Sequence, residues 1–261
     1  KSKIIIVNSK PLWNDFETIE RKGLGHPDTI ADSLAAKISQ AYSRYTINHC
    51  ERLILHHQID KLMVMGGKTK VYFGGGEFLK PIRIIVAGRI TYSYKNRKIP
   101  VDDILSGTVR KYFKELFPLV DFTKNVVIKN LLTNYPGPGT MSLSKGAIAN
   151  MFSPQNKKQV RGYEKLVAND TSYGTAYSPY SDLEKAVISI EKFLNSTLMK
   201  RRFSWLGSDI KIMAVRNRKD ISITMCIPQI AKYVSSLKQY KQNLKVIGQI
   251  IDNKLKSLLP K

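Results

Sequence analysis

The residues with chemical potential gather first at Arg21-Lys22-Gly23-Leu24-Gly25-His26-Pro27-Asp28. A basic pair, two glycines and a His-Pro-Asp triplet lead straight into an amphipathic segment. Glycines permit close backbone approach to a ligand, and the first N–H groups of a helix favour an anion. His26 offers a hydrogen bond to a phosphate or a developing oxyanion, and Asp28 offers a carboxylate to a hard cation such as Mg2+. The competing reading is plainer: Asp28 or Thr29 caps the helix and His26 is a satisfied surface residue. Residue chemistry alone leaves the two readings balanced.

Further candidates lie downstream. Asp60 closes HHQID, Glu77 follows three glycines in FGGGE, and Asp170-Thr171-Ser172 sits in a Gly/Ser/Thr-rich stretch. Each has an ordinary alternative: a strand-end turn for Asp60, an Asx-type turn for Asp170-Thr171. His56 and His57 are adjacent, so on a strand they face opposite ways, which argues against a two-histidine metal site. Cys50 and Cys226 lack metal-ligand spacing and are expected in packing roles.

The elements that must position these residues follow from periodicity. Residues 3–7 read as an opening strand. Ile30, Leu34, Ile38 and Ala41 form one stripe of a helix over residues 29–45. A β-rich run covers residues 52–67, and a strong strand begins after Pro81. Pro100 opens a helix to residue 116, and residues 126–132 form a strand. Residues 146–165 read as an exposed excursion. Ser181 with Glu184 is a capping box at the head of a helix over 181–194. A β-hairpin turns at RNRKD, and residues 230–259 are expected to be helical. The order implies an α+β (α/β) fold of repeated β-α-β-β-type units, with mixed or antiparallel sheets backed by helices on one side. Two units are expected, 1–115 carrying the GHPD loop and 116–261 carrying the NDTS loop.

The 261 residues carry 43 Lys+Arg against 20 Asp+Glu, a net charge of +23 spread along the chain. Nucleic-acid binding is one reading, but finger, RNA-binding and basic-tail signatures are missing. A basic cleft for a polyphosphate needs fewer assumptions. No apolar run approaches the ~20 residues of a membrane span, and a cytoplasmic location is the expectation.

RKGLGHPDTIADSLAAKIS resembles the opening motif of the archaeal-type S-adenosylmethionine synthetases, close to RKGIGHPDSIADGIAEAIS. The likeness continues through LHHQID, KVYFGGGEFLKPIRIIVAGR, VANDTSYGTAYSPYSDLEKAVISIEKFLNS and GSDIKIMAVR, in the family's order. The resemblance implies a methionine adenosyltransferase that joins ATP and L-methionine and cleaves the triphosphate to phosphate and pyrophosphate. It implies His26 and Asp28 as catalytic residues, with Asp28 also a Mg2+ ligand. Gly25, Asp60, Glu77, Asp170, Thr171 and Ser172 would contact ATP or methionine. It leaves a K+ ion open.

The family pattern is incomplete here. Ser142 stands where the family's glycine-rich loop has an acid, and Ile59 and Lys61 flank Asp60 where the family has Thr and Gln. The later GRGNR and GKNP blocks are missing, so about two of the family's three pseudo-threefold units are expected. A homodimer, or a hetero-oligomer with a subunit supplying those blocks, would complete the site. A non-catalytic regulatory or scaffold paralogue and a basic nucleic-acid-binding protein are the alternatives.

Overall fold

A computed structural model describes residue 5 and residues 15–134, 152–161 and 177–259. The expected strand over residues 3–7, apart from Ile5, the candidates Asp170, Thr171 and Ser172, and the departure from the family pattern at Ser142 lie outside the described residues.

The chain runs β1 (Phe16–Lys22), α1 (Pro27–His49), β2 (His57–Met65), then a hairpin of β3 (Lys68–Tyr72) and β4 (Gly75–Lys80). Next come β5 (Ile82–Ile90), a short pair β6 (Ser93–Tyr94) and β7 (Arg97–Lys98), α2 (Val101–Leu116), α3 (Phe122–Asn125) and β8 (Val126–Thr133). Beyond lie α4 (Lys157–Arg161), α5 (Asp182–Leu194), α6 (Thr197–Arg202), β9 (Lys211–Asn217), β10 (Asp220–Cys226) and α7 (Leu237–Leu258). The α+β architecture agrees with the pattern of the sequence.

Two sheets each carry helices. In the first, of order β2-β5-β8, β2 is antiparallel to β5 and β8 is parallel to it. Parallel pairing needs a crossover, and α2 supplies it. Ile30, Leu34, Ile38 and Tyr42 of α1 meet Leu105, Val109 and Phe113 of α2 over Ile84 and Val86. The apolar stripe of α1 is therefore its buried face, as helical spacing predicts. In the second sheet, β1-β9-β10, all pairs are antiparallel. Leu183, Val187, Ile190 and Leu194 of α5 pack with Ile247 and Ile251 of α7 against Ile212 and Ala214. The sheets interleave along the chain: β1 belongs with β9, nearly two hundred residues later, whereas β8 belongs with β5.

Local chemistry sets the helix ends. Ser181 Oγ accepts from Glu184 N at 3.0 Å and the Glu184 carboxylate returns to Ser181 N at 2.7 Å, completing the capping box. The expected helix over 230–259 is shorter: a 3-10 turn spans Ala231–Tyr233 and α7 begins at Leu237. Ser236 resets the start, because its hydroxyl caps Gln239 N. Strand alternation leaves Met63, 57% exposed, with Met65, Val127 and Leu131 on the face of the first sheet opposite its helices. Among the described residues no helix is long and apolar enough to cross a membrane.

Candidate functional site at the head of α1

The site is built from three pieces: the end of β1, the loop into α1 and the start of β9. The loop is fixed by backbone contacts. Gly23 N donates to Ile210 O at 2.6 Å, Gly25 N donates to Ser208 O at 2.9 Å, and His26 N donates to Gly23 O at 3.1 Å. A Cβ on Gly25 would lie 2.7 Å from the Ser208 carbonyl carbon and 2.8 Å from Asp209 N. One on Gly23 would lie 2.8 Å from two carbonyl oxygens. The glycines thus serve close approach, as the sequence predicts, but to the 208–210 strip of this chain. The GLGHPD and GSDIK stretches are two sides of one joint.

His26, not Asp28 or Thr29, is the N-cap of α1. Its backbone is extended (φ −71°, ψ 138°), and its Nδ1 accepts from Asp28 N at 3.1 Å. The residue is 9% exposed, so it is no surface residue. With Nδ1 accepting, a neutral imidazole carries its proton on Nε2, leaving that N–H as a donor. Pro27 at the first helical position has no N–H, and His26 takes that of Asp28. The anion site is therefore narrower than four free amides.

Asp28 is 64% exposed and its Oδ2 sits 2.7 Å from Lys22 Nζ. The Lys22 hydrogen bond holds the Asp28 carboxyl below its ordinary pKa, with the nearby charges of Lys22 and Lys211 acting the same way. The same bond raises the Lys22 ammonium. Lys22 and Lys211 are register partners across β1 and β9, so two ammonium groups enter the site from adjacent strand ends. Strand alternation sends Arg21 the other way, to Glu191 Oε2 at 3.1 Å. Glu191, 5% exposed, also accepts from Asn195 Nδ2 at 2.8 Å. Of the basic pair in the sequence, only Lys22 faces Asp28. Lys211 was visible in GSDIK, but nothing local marks it; its role comes from the β1–β9 register.

The other described candidates lie apart. Asp60 sits at a bulge of β2, its Oδ2 2.8 Å from Lys61 Nζ, and Gly88 of β5 comes close enough that a Cβ there would be 3.2 Å from Asp60 Oδ1. Glu77 on β4 pairs with Lys70 of β3 at 3.7 Å. Neither makes a hydrogen bond or ion pair with residues 26–28 among the described residues. His57 bonds Ser39 Oγ and Leu55 O, both at 2.8 Å, and His56 packs edge-on to Phe152, where burial pushes its pKa down. The two histidines do face apart and both hold structure. Cys50 is buried and Cys226 exposed, and both are free thiols.

Among the described residues no group of three or more His, Cys, Asp or Glu side chains is placed to hold a metal. Asp28 alone fits the mode in which Mg2+ is held by one carboxylate, waters and substrate phosphates. The site as a whole presents two ammonium groups, one imidazole N–H and one carboxylate to an incoming ligand. That set suits a polyphosphate carried with a divalent cation.

A model of the family described as S-adenosylmethionine synthetase (AdoMet synthetase) matches residues 4–261. The chain is 34% identical over 244 residues to a protein of Aquifex aeolicus named probable S-adenosylmethionine synthase, covering 94% of this chain and 58% of that one. It is 39% identical over 230 residues to the S-adenosylmethionine synthase of Sulfurisphaera tokodaii, covering 87% of this chain and 53% of the other. With that of Methanococcoides burtonii it shares 33% over 226 residues, 87% and 52% of the two chains. The chain spans about half the length of the curated relatives it matches.

Proposed function

Since the chain belongs to the S-adenosylmethionine synthetase family, we propose that it makes S-adenosylmethionine from ATP and L-methionine within an oligomer, cleaving the triphosphate to phosphate and pyrophosphate. The observation that carries this reading is the convergence of Lys22, His26, Asp28 and Lys211 at the head of α1.

The methionine sulfur attacks C5′ of the ribose; the S–C5′ bond forms as the C5′–O bond breaks and its electron pair leaves on the triphosphate. The protein needs no nucleophile for this step, only alignment of sulfur, carbon and leaving oxygen and stabilisation of the departing charge. Lys22 and Lys211 set two positive charges beside the triphosphate. His26 holds its Nε2 proton ready for a triphosphate oxygen, a direction fixed by the bond at Nδ1. Asp28 is the proposed Mg2+ ligand, and the ion would neutralise part of the charge on the leaving group. With Asp28 committed to the ion, the Lys22 ammonium, now 2.7 Å from Asp28 Oδ2, would be free to meet phosphate. Asp60, Glu77, Asp170, Thr171 and Ser172 are proposed to contact nucleoside or methionine, with K+ left open.

The outer face of the first sheet, where exposed Met63 and Leu131 stand among Lys61, Arg83 and Lys129, suits a second copy or a subunit carrying GRGNR and GKNP blocks. A regulatory or scaffold role is the second reading. The test is methionine-dependent release of phosphate and pyrophosphate from ATP, by the chain alone and mixed with such a subunit. Turnover is expected in at least one mixture. Failure in all, with no ATP binding by calorimetry, overturns the enzyme reading in favour of the scaffold.

A further inference from the structure

The two sheets repeat one plan. In the first, α1 precedes the antiparallel pair β2 and β5, α2 follows, and β8 then lies parallel to β5. In the second, α5 precedes the antiparallel pair β9 and β10, and α7 follows. The link from strand to helix is of equal length, residues 91–100 in one and 227–236 in the other. No counterpart of β8 follows α7 among the described residues. Only Leu259, Pro260 and Lys261 come after Leu258 in this sequence. They span at most about 11 Å, against about 33 Å for a helix as long as α7, so they do not form the returning strand.

Burial shows the difference. Ile84 and Val86 of β5, between β2 and β8, are 0% exposed, whereas Ile221 of β10 is 39% exposed and Ile223 and Met225 are only partly buried. These three side chains and Ile247, Ile251 and Leu255 of α7 line an open groove of about 510 Å³. Its two charged residues, Asp252 and Lys256, are opposite in sign and one helical turn apart, so the groove does not select by charge. Among the described residues β10 pairs with β9 alone, which leaves its outer row of N–H and C=O groups as an edge. From Ile221 to Cys226 that edge carries no proline and no charge, the devices that keep a foreign strand away. We infer that the β10 edge takes a strand of a partner polypeptide, parallel to β10 as β8 is to β5, with alternate apolar side chains in the groove under α7. Main-chain bonds supply the affinity and the groove reads the alternation. A second copy related by a two-fold axis normal to the sheet would set β10 antiparallel to itself, against the plan of the first sheet. This docking stands on the repeat of the two units and goes beyond the proposed synthesis.

The probe is a synthetic peptide, KVTIKVTIK, in which apolar and polar residues alternate. Calorimetric titration into the 261-residue chain should give saturable one-to-one binding, with the shuffled peptide KTTVVIIKK at least about tenfold weaker. Bound peptide should slow amide hydrogen exchange along residues 221–226, and a nitroxide on its N-terminus should broaden the Ile221 amide signal more than that of Cys226. Ile221→Lys, at an exposed position, should weaken the peptide at least about tenfold. No peptide heat, or equal binding of the shuffled peptide, overturns the docking edge. Stronger broadening at Cys226 overturns the parallel order. Outer amides of β10 already slow to exchange in the free chain would mean that a segment of this chain covers the edge, and overturn the partner strand. A dimer in sedimentation that Ile221→Lys dissolves would assign the edge to a second copy and overturn it likewise. The peptide comparison on the unaltered chain decides even where the variant does not fold. ATP turnover does not enter these readouts, so the docking and the proposed synthesis fail separately.

Discussion

Two glycine-rich segments lead to proposed site residues, and they use glycine for different reasons. Gly23 and Gly25 lie against the 208–210 backbone, where there is no room for a Cβ. Gly74, in the turn of the β3–β4 hairpin, has open space around it but a φ of +88°. It donates to Ala231 O and Val234 O at 3.0 and 2.8 Å, tying the hairpin tip to the 3-10 turn. The first segment is fixed by packing, the second by backbone conformation. His26 and Asp28 stand on the rigid segment, and Glu77 stands on the exposed hairpin.

The sharpest test is Gly25→Ala. A methyl group 2.7 Å from backbone atoms forces the two strips apart, so a loss of about 3 kcal/mol in denaturant unfolding is expected, with ATP binding lost too. An unchanged midpoint would mean the 208–210 strip yields and the contrast between the segments is false. Gly74→Ala should cost less, about 1 kcal/mol for left-handed backbone. Its signature should be faster amide exchange at the hairpin tip, with residues 23–29 unaffected. Asp28→Asn should leave the melting temperature unchanged, since the Lys22–Asp28 pair is exposed and solvent-screened. It should nonetheless abolish Mg2+ dependence of ATP binding; a variant that keeps it returns Asp28 to the role of a first-turn acid.

The smallest effect concerns pH. The folded-state pKa of Asp28 is lowered, so the pair's contribution is complete above the ordinary carboxylate value and is lost as pH falls through the lowered one. A carboxyl titration followed by NMR should show this. Lys22→Met should move the Asp28 midpoint up; no movement would assign the shift to Lys211 and the helix.

Much of the fold was legible because helical periodicity and capping are local. The stripe Ile30, Leu34, Ile38 is the buried face of α1, and Ser181 with Glu184 caps α5 as read. The boundary of α7 was missed because an apolar stripe does not register where a serine cap interrupts the run. In the site, GLGHPD was legible as a helix head with unusual glycines. The capping role of His26 was not, because histidine is an uncommon cap and nothing in the triplet says which way its ring turns.

The sequence alone determined most of the helices, several strands, the family likeness and the charge types available, since these are carried by neighbours along the chain; β1 (Phe16–Lys22), which brings Lys22 to the site, was not among the strands read from it. Tertiary structure decided which charges meet. The antiparallel register of β1 and β9 sets Lys22 beside Lys211, and alternation sends Arg21 to Glu191. It also decided that Gly23 and Gly25 face this chain's own 208–210 backbone. The physical reason is that pairing between strands almost two hundred residues apart is fixed by which two cores close over them, a condition no local window contains.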